Sequence, residues 1–373
     1  MMPFAPLLLV LLVPLLGCGE TSRATSAERT VAVRDSAPPA PPRWTPKPIT
    51  ARPDPRAQGD TVSRSSGIRP FALTAADSAR WPVPGPAQLP GAMLPDHRII
   101  AYYGNTRSTR MGILGQIPRD SMLARLEATA VSWAKADTTR KVMPALHLIV
   151  TVAQAKPGPG GKYRLRTGDS VISQVASWAE ERGWIMFLDV QTGHSTVEAE
   201  LQPLLPFLAR PYVHLALDPE FAMTQGGVPG KRVGTLDAKH VNYASGFLAH
   251  LVDSLELPPK VLIVHRFKQR MLTNYDQIKL DPRVQILIQM DGFGTARHKQ
   301  DAYRLYIVPE PVQYAGFKIF YKNDRTPRAR SQGYEPSCPE AVFWSVGCGD
   351  DGLMTPEQVL SGLYPVPLYV QYQ

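Results

Sequence analysis

Four acidic residues stand at the ends of apolar runs, where a carboxylate is costly unless something pairs with it. Asp189 lies in Phe187-Leu188-Asp189-Val190-Gln191. Asp218 and Glu220 share Leu217-Asp218-Pro219-Glu220-Phe221, and Asp291 lies in Met290-Asp291-Gly292-Phe293-Gly294. His265 and Lys318 sit at or near the ends of two further apolar runs and supply basic groups. Two carboxyls in contrasting surroundings can carry out acid–base hydrolysis of the kind that cleaves glycosidic bonds. Glu220 is the candidate general acid, because the apolar Phe221 beside it favours a retained proton. Asp189 or Asp291 is the candidate base or nucleophile, with Asp218 in the same group. Tyr103, His265, Lys318, Tyr321 and Gln371 are the candidate substrate contacts. The alternative is a self-satisfied polar core in which Lys318 neutralises Asp189 or Asp291.

A different chemistry uses the same residues. His265 with Asp189, Asp218 and Asp291 offers mixed nitrogen and oxygen ligands to a divalent cation. No H-x-x-H or H-E-x-x-H motif accompanies them, so no dedicated metal or other cofactor is expected. His194, His214 and His240 read as structural. The serine-hydrolase elbow Gly-x-Ser-x-Gly is absent, as is a Walker motif. Gly112 and Gly115 do not complete a dinucleotide-binding G-x-G-x-x-G. The glycines of Gly226-Gly227-Val228-Pro229-Gly230-Lys231 read as a mobile loop above the fourth strand, suited to closing over a ligand.

These residues need a scaffold that gathers strand ends. From Arg98 onward, short apolar strands alternate with amphipathic helical stretches. The strands are expected at Ile99–Tyr103, Leu146–Val152, Trp184–Val190, Tyr212–Asp218, Lys260–Arg266, Val284–Met290, Tyr314–Tyr321 and Leu368–Gln371. The clearest helices are Arg119–Ala136, Thr167–Arg182, Thr196–Ala209, Leu236–Leu255 and Thr355–Leu363. Eight strands with helices between them predict an α/β fold, a closed (β/α)8 TIM barrel over residues 96–373. Val213, Leu215 and Leu217 share one face of the fourth strand, and His214, Ala216 and Asp218 share the other. The sixth strand sorts in the same way, with Gln285, Leu287, Gln289 and Asp291 on one face. The polar faces converge on the C-terminal strand ends, where barrel enzymes build their sites. The sequence ends just after the eighth strand, so the segment before Arg98 is expected to cover the place of an eighth helix. A Pro/Arg/Ser-rich insertion at 325–350, with Trp344, is expected to form a lid, a binding wall or a neutral loop.

Residues 1–18 are apolar and carry no charged side chain. They read as a signal peptide, and Leu15-Leu16-Gly17-Cys18 resembles the lipobox of bacterial lipoproteins. That resemblance implies lipidation at Cys18, export, and a membrane anchor facing the periplasm or the cell exterior. No Lys or Arg precedes the apolar run, a departure from the usual leader. Residues 19–95 are rich in Pro, Ala and Arg and are expected to form a disordered tether, from which residues near Phe71 to Trp81 are able to fold back onto the domain. Cys338 and Cys348 either close a small disulfide loop or stand as free thiols, and an oxidising compartment favours the disulfide. The net charge of +9 is spread along the chain without a basic, aromatic-interleaved run. That excludes nucleic acid as the first choice of partner and favours anionic envelope material.

The three acidic strand-end motifs resemble those of glycoside-hydrolase-type TIM barrels. The stretch from Tyr102 to Gln373 resembles a group of bacterial envelope lipoproteins with such a barrel. The resemblance implies a glycan or another cell-envelope polymer as partner. In the general hydrolase pattern one carboxylate follows strand four, matched here by Glu220. Its usual partner after strand seven has no counterpart in Phe320-Tyr321-Lys322-Asn323-Asp324. The functional expectation is therefore an envelope-anchored glycoside-hydrolase-like protein. The alternatives are a non-catalytic glycan- or partner-binding barrel and a divalent-metal-dependent hydrolase.

Overall fold

The computed structural model describes residues 44–51, 74–325 and 352–373. Cys18, Cys338 and Cys348 lie outside the described residues, as do the leader, most of the tether and nearly all of the insertion.

All eight expected strands form. They are β1 (His97–Gly104), β2 (Lys141–Ala153), β3 (Ile185–Val190), β4 (Val213–Leu217), β5 (Lys260–Arg266), β6 (Val284–Met290), β7 (Tyr314–Ile319) and β8 (Tyr369–Tyr372). Each pairs in parallel with the next, and β8 returns to β1 with Ile99 opposite Tyr369. The sheet is thus a closed eight-stranded parallel barrel in an α/β chain. Closure leaves no edge among these strands, and both faces of nearly every strand are buried. A three-residue strand, Arg164–Arg166, adds antiparallel to the end of β2.

Helices α1 (Ala75–Arg80), α2 (Ile113–Gln116), α3 (Arg119–Ala136) and α4 (Asp169–Arg182) precede β3. The helix expected over Thr196–Ala209 is broken into α5 (Val197–Leu201), a 3-10 turn and α6 (Leu205–Leu208). Pro203 and Pro206 explain the break, since a proline inside a helix lacks a donor and clashes with the preceding turn. Helices α7 (Ala238–Ser254), α8 (Ala296–Tyr306) and α9 (Pro356–Gly362) follow β4, β6 and β7. Between β5 and β6 there are only 3-10 turns and a two-residue strand.

Among the described residues, α3 reaches the seam between β8 and β1. Trp133 Nε1 donates to Tyr372 Oη at 2.9 Å, and the Tyr102 hydroxyl meets Thr129 Oγ1 at 2.8 Å. Part of the expected linker belongs to the fold. Met93 and Leu94 donate backbone N–H groups to Gln285 Oε1 at 2.9 and 3.0 Å. This closes the N-terminal end of the barrel. Trp81 is buried and donates to Val308 O at 3.0 Å. Ile49 bridges Val142, and Trp44 packs 5.7 Å from Tyr212. The physical reason is apolar: Trp44, Trp81 and Leu94 interrupt an otherwise Pro-rich stretch and bury against the core.

Candidate functional site

A cavity of about 580 Å³ opens at the C-terminal ends of the strands. Tyr103, Gln191, Asp218, Glu220, Asp291 and Lys318 supply its polar wall, and Phe221, Phe267, Phe293 and Phe320 supply rings. The polar residues come from the ends of β1, β3, β4, β6 and β7, so the barrel itself brings them together.

Glu220 is held through its backbone. It sits in the 3-10 turn Pro219–Phe221, where its N–H donates to Asp218 Oδ1 at 3.1 Å. Its carbonyl accepts from Gly234 N at 2.6 Å. Among the described residues no hydrogen bond reaches its carboxyl. Burial, reinforced by the charge of Asp291, pushes that carboxyl up to about 7. Asp218 Oδ2 accepts from Gln191 Nε2 at 3.1 Å, and burial raises Asp218 well above the usual carboxylate range.

Asp291 has the opposite environment. Lys318 Nζ lies 2.9 Å from its Oδ1 and His265 Nδ1 lies 3.1 Å from its Oδ2. Burial opposes ionisation, but Lys318 and His265 outweigh it and hold Asp291 at about 2. The Lys318 ammonium also stands 3.9 Å from the Tyr103 ring centroid, a cation–π contact. Tyr103 Oη in turn donates to Asp189 Oδ2 at 2.8 Å.

Tyr103 therefore marks a floor. Asp189 and His265 are fully buried and do not line the cavity. Gln371 also lies in the interior, its Nε2 2.9 Å from His147 Nδ1 and 2.8 Å from Tyr369 Oη. Asp189, His265 and Gln371 thus lie below the cavity and not in its wall. Tyr321 lies outside that wall as well. Its ring stacks on Tyr372 at 5.4 Å and its hydroxyl meets Tyr102 Oη at 3.1 Å, on the outer face of the barrel beneath α3. The loop Gly226–Lys231 does not line this cavity; its Gly226 lines a different, smaller depression.

The sequence reading overlooked several residues. Phe320 lies inside, 5.0 Å from Lys318 Nζ. Phe293 is 67% exposed at the rim, edge-on to Phe320 at 6.0 Å. Arg110 and Met111 wall the side above β1. Gly112 permits that wall, because a Cβ there would stand 2.2 Å from Tyr103 O and φ is +138°. His147, within the apolar run Leu146-His147-Leu148, joins the buried layer below Tyr103.

The metal set expected from sequence is redistributed. Asp291 is taken by Lys318, whereas His147, Asp189 and His265 bring ligand atoms within 4.8 Å of one another. Among the described residues, no helix is long and apolar enough to cross a membrane. No protein-family model matches the chain, and no curated protein matches it.

Proposed function

We propose that this chain is an envelope-anchored protein of glycoside-hydrolase type that acts on a glycan in the cavity above Tyr103. One observation carries the reading. Glu220, whose carboxyl takes no hydrogen bond among the described residues, and a lysine-clamped carboxylate, Asp291, line the same ring-walled cavity. Glu220 at about 7 retains a proton to give to a leaving-group oxygen near neutral pH. Asp291, kept ionised by Lys318, faces the positive charge that develops on the sugar or activates a water. Phe293 and Phe320 offer faces to the apolar side of a sugar ring, and Gln191 and Asp218 offer hydrogen-bonding groups. On this reading Cys18 carries the lipid, and the net charge of +9 favours anionic envelope polymers.

The test is turnover of a panel of defined envelope glycans by the wild type and by Glu220→Gln. Loss of turnover with retained binding supports the assignment. Equal product formation by both proteins removes Glu220 as the acid. A second reading, a non-catalytic glycan receptor, is favoured by Asp291, whose two oxygens are both engaged by protein groups. Saturable binding without turnover across the panel selects that reading. Mass spectrometry of the mature N-terminus tests lipidation at Cys18.

A further inference from the structure

We propose that His147, Asp189 and His265 form a buried site for a divalent metal ion of the zinc or iron(II) class, beneath the glycan cavity. The inference does not depend on the glycan reading. Its first support is the pattern of satisfied and unsatisfied atoms among the described residues. His147 Nδ1 meets Tyr369 Oη at 2.6 Å, whereas its Nε2 has no hydrogen-bond partner. Asp189 Oδ2 accepts from Tyr103, whereas its Oδ1 has no partner. His265 Nδ1 is 3.1 Å from Asp291 Oδ2 in an ion-pair contact, and neither of its ring nitrogens makes a hydrogen bond. His147 and Asp189 are thus each anchored by one hydrogen-bonded atom, and all three side chains present an unused atom to the same interior space. Buried polar atoms are rarely left so, and three that converge call for a common partner.

The distances agree. His265 Nε2 lies 3.7 Å from Asp189 Oδ1, and His147 Nε2 lies 3.9 Å from Asp189 Oδ2. Atoms that each stand about 2.0–2.2 Å from a shared zinc ion are separated by roughly 3.3–3.6 Å; the three ligand atoms here all lie within 4.8 Å of one another, so binding draws the outermost inward. The outer atoms already face partners that metal-bound histidines keep: a carboxylate for His265 and the Tyr369 hydroxyl for His147. Two imidazoles and a carboxylate suit zinc or iron(II) rather than magnesium or calcium.

The test uses the untagged full chain, stripped with a chelator and then titrated with Zn²⁺ or Co²⁺ alone. The expected result is uptake of about one ion per chain, as a single closed site requires, with a rise in Tm. The Co²⁺ spectrum should show d–d bands without thiolate charge transfer, which separates this site from Cys338 and Cys348. His147→Gln should abolish stoichiometric uptake. Tyr369→Phe, which leaves the ligands in place, should weaken affinity about 10–100-fold. If His147→Gln does not fold, Tyr369→Phe and the cobalt spectrum decide. A folded wild type that takes up neither ion overturns the proposal. So does uptake that both substitutions leave unchanged. None of these readouts uses a glycan, so this proposal and the assignment of Glu220 fail separately.

Discussion

Lys318 Nζ lies 2.9 Å from Asp291 Oδ1 at the barrel mouth, and both side chains are almost wholly removed from water. Removing one partner of such a pair leaves an uncompensated buried charge. Lys318→Met is expected to destabilise the protein by about 3–5 kcal/mol, measured by urea unfolding. Adding Asp291→Asn to it should restore much of that loss, because the stranded charge is then gone. If the double variant is no more stable than Lys318→Met, the pair is not the source of the effect.

Glu220 gives a pH signature with a definite sign. Its carboxyl ionises at 4.5 in its ordinary state and at about 7 in the folded protein. Between these values the unfolded chain gives up a proton that the folded chain keeps. Any stability present below 4.5 is therefore progressively lost as the pH rises through about 7. Glu220→Gln removes this dependence, so the variant should gain on the wild type across that window in thermal melts. Glycan turnover by the wild type should fall on the alkaline side of the same pKa, and Glu220→Gln should lower turnover by about 10²–10⁴-fold.

Phe293 separates binding from folding. It is exposed, so Phe293→Ala should change stability by no more than about 0.5 kcal/mol. A lost aromatic contact is worth about 0.5–1.5 kcal/mol, so Kd for a bound glycan should rise by a few-fold up to about tenfold. Unchanged Kd would move the sugar away from the Phe293–Phe320 edge.

Tyr321 provides the converse case. Its hydroxyl meets Tyr102 on the outer face, so Tyr321→Phe should cost about 0.5–1.5 kcal/mol in unfolding experiments. Turnover and glycan affinity should not change. A rise in KM at unaltered stability would put Tyr321 back at the substrate.

A chain starting at residue 96 should be far less stable than one that keeps residues 44–95. Trp81→Ala alone is expected to cost about 3–5 kcal/mol. The shorter chain also deprives Gln285 of the Met93 and Leu94 amides. Chemical denaturation of the two chains measures the difference.

The barrel was legible in the sequence because its strands are short apolar runs with a polar register, and helices separate most of them. Asp218, Glu220, Asp291 and Lys318 followed from that register, and all four line the cavity. Tyr321 did not follow, although the rule that excludes it was available. Alternation from Lys318 puts Phe320 on the inner face and Tyr321 on the outer. His147 had a weak signal, a single histidine in an apolar strand, and a buried packing role accounts equally well for such a residue. The depth of Asp189 was hidden, because only the three-dimensional position of Tyr103 makes a floor above it. The inner limit of the linker was legible only around Trp81. Its composition is Pro-rich, and the surfaces that Trp81 and Leu94 meet come from residues some 200 positions further along the chain, as the Trp81–Val308 and Leu94–Gln285 bonds show.

The pairing of Ile99 with Tyr369 has a consequence for how the protein is made. The ring closes only where its first and last strands meet, so it stays open until β8 has been made. Until β8 emerges, His147 lacks the Tyr369 hydroxyl and the Gln371 amide. The interior acids then remain in contact with water, and their desolvation is deferred to the final step. Folding should therefore be slow to commit, as expected when contacts join distant parts of a sequence. Pulse-labelled hydrogen exchange should show the β1 and β8 amides becoming protected together, after those of β3 to β5.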